Sequence, residues 1–130
     1  MRSESDVKET HSIQAILKSF KYASRGILTS FLIGRNIKVH YTVALIVLGC
    51  GLYFRISKVE FILLFLTIAQ VITLEMINTA IERTVDLVTS DYHIYAKIAK
   101  DVAAGAVLVS AIIATIIGGI IFLPYISSSR

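Results

Sequence analysis

Three long apolar segments constrain the fold of this sequence more than any other feature. They cover residues 39–54, 59–81 and 102–126, and few charged or amide side chains interrupt them. An α-helix rises about 1.5 Å per residue, so roughly 20 residues cross the hydrocarbon core of a bilayer. The second and third segments are long enough, and the first is long enough if its helix continues into its flanks. We therefore predict three transmembrane helices.

The amino-acid composition narrows the class of protein further. Hydrophobic residues make up 55% of the 130 residues, which is too apolar for an ordinary soluble domain. The net charge is +4, but the basic residues flank the apolar segments instead of forming a soluble basic face, so we expect no nucleic-acid partner. The single cysteine, Cys50, excludes a disulfide within the chain and a cysteine metal cluster.

The residues before the first apolar segment follow a different pattern. We expect residues 1–10 to be flexible and residues 11–33 to form an amphipathic helix. Apolar side chains recur there at helical spacing, and Lys18, Lys21 and Arg25 fall mainly between them. The pattern predicts a helix in the membrane interface, although a soluble helix packed on a core has a similar pattern.

The lysine and arginine residues predict the orientation. Seven precede the first apolar segment, two lie between the first and the second, three lie between the second and the third, and one follows the third. The N-terminus and the polar linker at residues 82–100, which has helical character, are therefore expected to face the cytoplasm.

Four polar side chains share one face of the second predicted helix. Glu75, Asn78, Glu82 and Asp86 stand at i, i+3, i+7 and i+11. Ionisable residues within a membrane helix usually turn inward and have a function. The simpler interpretation is that Glu82 and Asp86 are solvated where the helix leaves the bilayer. That interpretation fits Glu75 least, because Glu75 lies deepest within the predicted transmembrane segment.

The third apolar segment carries a row of small residues at intervals of four, namely Ala106, Ser110, Ala114 and Gly118. Such rows allow close helix packing in lipid, and we interpret this row as a packing surface. Three helices alone can hardly enclose a polar site. We therefore predict a homo-oligomer with its site between neighbouring chains.

The polar residues suit phosphoryl transfer. Carboxylate and amide oxygens are the ligands that Mg²⁺ prefers, and Mg²⁺ commonly bridges nucleotide phosphates. Lys100, beside Asp101 at the start of the third apolar segment, can neutralise phosphate charge. A positioned carboxylate can act as a general base. These residues alone leave two hypotheses, a lipid kinase and a small ion-coupled carrier, although a carrier normally needs more than three spans.

Several strings together resemble the small trimeric prokaryotic diacylglycerol kinase family. They are the spaced residues Glu75, Asn78, Glu82 and Asp86, followed by Asp91-Tyr92-His93 and Ala99-Lys100-Asp101. Residues 78–89 and 99–109 look most like the Gram-positive branch, the undecaprenol kinases, as do residues 19–23 and Arg35-Asn36. The similarity covers about residues 15–123, and the combination of motifs is highly specific.

The resemblance implies a homotrimeric enzyme of the bacterial cell membrane that uses ATP and Mg²⁺ to phosphorylate a lipid alcohol. Undecaprenol is the expected acceptor, and diacylglycerol is the alternative. Glu75 would be the general base, Glu82 a metal ligand, and Asn78 a residue that helps to arrange the metal site. Lys100 would contact the phosphates and Asp101 the adenine amino group. Tyr22 matches a tyrosine near the nucleotide, and Asp86 matches a supporting acidic position.

One position departs from the family pattern. The family has a glutamate before Arg-Asn as its second metal-holding carboxylate, and this chain has Gly34 there. Glycine offers no side-chain oxygen, although a neighbouring group or water can complete a magnesium shell. A catalytically weakened or inactive family member is therefore a further alternative.

Overall fold

The chain folds into four α-helices in a computed structural model that describes residues 13–127, except for the side chains of residues 13, 14 and 35. The helices are α1 (Ile13–Ile33), α2 (Arg35–Tyr53), α3 (Lys58–Val88) and α4 (Ile94–Ser127). No strand occurs in this range, which confirms the predicted all-α fold. The predicted flexible segment at residues 1–10 and the first two residues of the predicted interfacial helix lie outside the described residues.

Three of the four helices, α2, α3 and α4, are long and apolar enough to cross a membrane. With 31 and 34 residues, α3 and α4 are about 46 Å and 51 Å long, well over the roughly 30 Å of a hydrocarbon core. Their ends therefore extend beyond the apolar layer. The predicted linker at residues 82–100 is accordingly mostly helical, and only residues 89–93 lie between the helices.

Among residues 34–127, α3 packs against both α2 and α4, while α2 and α4 do not pack against each other. Most of the buried side chains on α3 and α4 are short or β-branched, and they include Thr67 and Val71 on α3 and Ala103, Val107 and Ser110 on α4. Helix α3 is therefore the element whose residues both other helices can reach.

The turn between α2 and α3 is fixed by local chemistry. Helix α2 ends in a Schellman motif, in which the Ile56 N–H donates to the Gly51 carbonyl and the Arg55 N–H to the Leu52 carbonyl. Arg55 takes the left-handed position, with φ of 51°. A Cβ on Gly51 would lie 3.1 Å from Ile56 Cδ1, so glycine allows this close approach. Ser57 and Glu60 then begin α3 with a capping box.

Candidate active site

The four polar side chains predicted to share one helix face, here called the stripe, lie on α3 and become more exposed towards its C-terminal end. Glu75 and Asn78 are each only 3% exposed. One to two turns further, Glu82 is half-buried and Asp86 is exposed. The stripe therefore leads from the interior of the protein to the end of α3. Glu75 and Asn78 are buried within one chain, whereas Glu82 and Asp86 are not, so one chain encloses only part of the predicted polar site.

Asn78 and Glu82 are joined by a hydrogen bond between their side chains, and one oxygen atom of the pair has no hydrogen-bond partner among the described residues. Asn78 Nδ2 donates a hydrogen bond of 3.3 Å to Glu82 Oε1, one helical turn further along α3. The other end of the same amide, Oδ1, is buried and has no hydrogen-bond partner among the residues that the structure describes. Buried polar atoms without a partner are uncommon in folded proteins, because the lost hydration is not replaced. A partner for this oxygen would therefore have to come from a group other than the described residues, such as water or a ligand.

Two residues of α2 that the sequence analysis did not assign to the site face Glu75. Asn36 and His40 both interact with its carboxylate, as does Glu82 from the same helix. Asn36 and His40 stand four residues apart, so they share one face of the first turns of α2. This spacing is the sequence signal for the pair, but only the register between α2 and α3 shows which residue they face.

A polar pocket lies where α3 ends and α4 begins. It has a volume of about 420 Å³ and is lined by residues on both helices and the turn between them. Two of its lining residues form an ion pair across the helices, in which Lys100 Nζ lies 2.5 Å from Asp86 Oδ1. Asp101 also lines it. The structure therefore brings together Asp86, Lys100 and Asp101, three of the residues named from the sequence.

The same pocket contains residues without a role assigned from the sequence. Lys97 Nζ lies 2.5 Å from Asp101 Oδ2, and Asp91, Tyr92 and His93 line the turn. Both ion pairs are substantially exposed, with 40% to 61% of each side chain accessible. Exposed ion pairs contribute little to stability, so an incoming phosphate can exchange for an acidic partner. The i, i+4 spacing of Lys97 and Asp101 was the sequence signal for the second pair.

The residues fit a magnesium ion only in part. Glu82 and the unpartnered Asn78 Oδ1 are hard oxygen donors of the kind that Mg²⁺ takes. No group of three or more acidic, histidine or cysteine side chains suited to a metal occurs among the described residues. Gly34 is the N-cap of α2 and adds no side-chain oxygen. Any further ligands would have to be phosphate oxygens, water or groups from another chain.

Tyr22, the remaining predicted site residue, lies on α1 and is 63% exposed. Helix α1 belongs to a separate compact unit that ends at Ile33. The role of Tyr22 therefore stays a prediction from the resemblance.

An apolar cavity of about 530 Å³ lies on α3 within the unit formed by α2, α3 and α4. It begins at His40, near Glu75, and reaches Phe122. Gly118 and Gly119 of α4 line it, and a Cβ on either would meet nothing within 4 Å. Within one chain these small residues thus border open space instead of a close helix contact. Apolar pockets of this size suit a hydrocarbon ligand.

Comparison with known proteins supports a lipid kinase. The family model for prokaryotic diacylglycerol kinases matches residues 21–122. The chain is 46% identical over 114 residues to the undecaprenol kinase of Bacillus subtilis, covering 88% of this chain and 93% of that protein. It is 43% identical over 110 residues to a diacylglycerol kinase of Synechocystis, covering 84% of this chain and 63% of that protein.

A relative with lower sequence identity is also named a lipid kinase. The diacylglycerol kinase of Escherichia coli is 26% identical over 107 residues, covering 82% of this chain and 88% of that protein. The family match spans α2, α3 and most of α4 and therefore includes every site residue from Glu75 to Asp101. The chain belongs to the prokaryotic diacylglycerol kinase family and is a membrane lipid kinase.

Proposed function

We propose that this protein transfers the γ-phosphate of ATP to the hydroxyl of a membrane lipid alcohol, with undecaprenol as the preferred acceptor. The observation that carries the proposal is one continuous row of groups along α3. It begins at buried Glu75 beside the apolar cavity, passes the Asn78–Glu82 pair, and ends at the pocket that contains Lys100. The 46% identity to an undecaprenol kinase supports this acceptor, and diacylglycerol is the alternative.

Glu75 is the general base in this proposal. The lipid hydroxyl lies at the end of the apolar cavity near His40, with its hydrocarbon chain inside the cavity. A Glu75 carboxylate oxygen takes the hydroxyl proton while the hydroxyl oxygen forms a bond to the γ-phosphorus. The bond between the γ-phosphorus and the β–γ bridging oxygen breaks, and ADP leaves. Burial of Glu75 keeps bulk water away from this proton transfer.

The pocket between α3 and α4 holds the nucleotide in this proposal. Lys100 exchanges its ion pair with Asp86 for contact with the phosphates, where its charge stabilises the charge that develops during transfer. Asp101 accepts a hydrogen bond from the adenine amino group, and Tyr22 lies near the nucleotide. Asp86 has the supporting role of holding Lys100 in the pocket before ATP arrives.

Mg²⁺ is the proposed cofactor, held on the ATP phosphates by Glu82 and Asn78 Oδ1. It would neutralise the charge of the polyphosphate. Because Gly34 replaces the second carboxylate, this chain would depend more strongly on phosphate oxygens and water for the remaining ligands.

We also propose a homotrimer in the bacterial cell membrane with its N-terminus in the cytoplasm. The charge distribution supports this orientation, which puts the Lys100 pocket on the side where ATP is available. The many exposed apolar side chains of α2, α3 and α4 are compatible with contacts to lipid and to neighbouring chains. In a trimer, groups from a second chain would be available to complete the metal site.

The proposal is tested by offering both lipids to the purified protein. Labelled phosphate transfer from ATP to undecaprenol and to diacylglycerol is measured side by side in detergent at saturating Mg²⁺. We expect transfer to both to be detectable and transfer to undecaprenol to be faster. Faster transfer to diacylglycerol would identify diacylglycerol as the preferred acceptor. The absence of transfer to either lipid would favour a non-catalytic member of the family.

A further inference from the structure

Helices α2 and α3 form a hairpin whose register places Asn36 opposite Glu75. A turn of four residues joins the two helices, and helices joined by so short a turn run antiparallel. Asn36 lies 17 residues before the last residue of α2, and Glu75 lies 17 residues after the first residue of α3. The two residues are therefore at the same height in the hairpin. His40 lies about one helical turn closer to the connection.

The face of α2 that carries Asn36 and His40 packs against α3. Asn36, His40 and Ala44 stand at intervals of four along α2, so they share one face. Ala44 is 7% exposed, and Ile37, next to this row, is 0% exposed. Within the unit formed by α2, α3 and α4, α2 packs against α3 and not against α4. The buried residues therefore fix this face of α2 on α3.

The carboxylate of Glu75 is held from α2. Glu75 is 3% exposed, and a buried carboxylate is costly unless it is paired and hydrogen-bonded. The Asn36 side chain forms a hydrogen bond with this carboxylate, and the His40 imidazole interacts with it electrostatically. Both groups come from the facing helix, so they restrain the carboxylate from the side opposite its own backbone.

His40 also lies at the point where the apolar cavity meets Glu75. Among the described residues that line this cavity, His40 is the one titratable side chain. The hydroxyls of Thr67 and Thr115, which also line it, donate to carbonyls of their own helices. The cavity is therefore apolar along its length, and its polar end is formed by His40 beside Glu75.

We propose that Asn36 and His40 are positioning residues for Glu75, which hold its carboxylate so that one oxygen is directed at the lipid hydroxyl. The inference rests on the proposed function for the place of that hydroxyl. A general base acts only when its oxygen lies within hydrogen-bond reach of the proton that it takes. Neither residue touches the nucleotide in this arrangement. Their loss should therefore lower kcat and leave the KM for ATP unchanged.

Substitutions on α2 test this role. His40→Leu and Asn36→Leu remove the N–H groups and keep an uncharged side chain of comparable size. At saturating lipid, we expect kcat of phosphate transfer to fall by about 10- to 100-fold in each, because a misplaced catalytic group costs this much. His40→Gln restores an N–H donor and should recover most of the loss.

The matched control is Thr42→Leu. Thr42 is an exposed residue of α2 whose hydroxyl donates to the Lys38 carbonyl, and its loss should leave the rate unchanged. Rates are compared for equal amounts of folded protein. A parental kcat in both leucine variants would overturn the proposal. An equal loss in His40→Leu and His40→Gln would also overturn it, because His40 would then supply something other than an N–H donor.

A second measurement needs neither ATP nor lipid substrate. Dicyclohexylcarbodiimide is an apolar reagent that modifies neutral carboxyl groups. The carboxyl proton moves to a carbodiimide nitrogen while the carboxyl oxygen bonds to the carbodiimide carbon. Donors that stabilise the ionised carboxylate therefore slow the reaction. Mass spectrometry of the adduct at residue 75 should show labelling roughly tenfold faster in Asn36→Leu and His40→Leu. Thr42→Leu should label at the parental rate, and Glu75→Gln should give no adduct at this position.

The two measurements separate failure of this inference from failure of the proposed function. Faster labelling in the leucine variants of a parent that phosphorylates neither lipid would reject the proposed reaction and support the hold of Asn36 and His40 on the carboxylate. Labelling at the parental rate in both leucine variants of an active parent would overturn the inference and leave the proposed function intact.

Discussion

Helix α3 carries two glutamates near partner helices, Glu60 in its first turn and Glu75 in its interior, and the polar groups around them differ. At the N-terminal end, Glu60 Oε2 accepts hydrogen bonds of 2.8 Å from the Ser57 N–H and from the Tyr125 hydroxyl of α4. Phe54 lies beside this cluster, with ring centroids 6.4 Å from Tyr125. Glu75 and Asn78, 15 and 18 residues after Glu60, are buried, and Asn78 Oδ1 has no hydrogen-bond partner among the described residues.

This difference separates a structural carboxylate from a candidate catalytic one. Around Glu60, each hydrogen bond ties the start of α3 to the preceding turn or to the end of α4. Around Asn78, the described residues leave a buried oxygen without a hydrogen-bond partner. A buried polar atom without a partner lowers stability, so its retention favours a functional explanation over a structural one.

The largest expected effect distinguishes the two glutamates directly. Glu75→Gln keeps the side-chain shape and removes the proposed base, so lipid phosphorylation should fall by about 10²- to 10⁴-fold. Glu60→Gln is the matched control and should leave the rate of transfer nearly unchanged. Both are measured by labelled phosphate transfer with equal amounts of folded protein. Near-normal turnover of Glu75→Gln would remove Glu75 from the mechanism.

The second prediction concerns the two lysines in the pocket between α3 and α4. Lys100→Ala should raise the KM for ATP by roughly 10- to 100-fold, because a charged hydrogen-bond donor to phosphate is lost. Lys97→Ala is the control in the same pocket, and its effect should be smaller, because no phosphate contact is proposed for Lys97. Steady-state kinetics over a range of ATP concentrations measures both. A larger effect at Lys97 would exchange the roles of the two lysines.

The third prediction adds a carboxylate near the proposed magnesium site. Gly34→Glu should lower the Mg²⁺ concentration for half-maximal activity by roughly tenfold, a change typical of groups that support metal ligands. Gly34 is the N-cap of α2, with φ of −74° and ψ of 122°, a backbone conformation that glutamate adopts easily. The measurement is a Mg²⁺ titration of transfer, and Glu82→Ala should cancel the gain. An unchanged Mg²⁺ requirement would mean that residue 34 does not face the metal.

The smallest effect is expected at the structural end. Tyr125→Phe removes the hydroxyl that donates to Glu60, so the midpoint of thermal unfolding in detergent should fall by only a few degrees. Lipid phosphorylation at a temperature well below that midpoint should be unaffected. A large loss of activity without a loss of stability would show that the two ends of α3 are coupled.

Much of this comparison was predictable from the sequence. The i, i+3, i+7 and i+11 spacing placed the stripe on one helix face, because helical periodicity is a local property. The pattern that marks apolar spans does not mark helix ends, however. Helix α2 starts at Arg35, before the apolar segment, and α3 continues through Val88 beyond it. Polar residues outside the bilayer core continue a helix without an apolar signal.

The contacts between helices could not be predicted from the sequence. Asn36 and His40 face Glu75 only because of the register between α2 and α3, which no local pattern encodes. The row of small residues was interpreted as a packing surface, yet Ala106 is exposed and Gly118 borders the apolar cavity. Small side chains permit both a close helix contact and a ligand cavity, so composition alone does not choose between them.

One substitution tests the central claim that α3 keeps an unsatisfied polar group for catalysis. Asn78→Leu replaces the buried amide with an apolar side chain of similar size and removes the unpartnered oxygen. We expect the free energy of unfolding in detergent to rise by about 1–3 kcal/mol while phosphate transfer to the lipid falls at least tenfold. A variant that is less stable than the parent yet equally active would contradict the account, because Asn78 would then be a structural residue like Glu60.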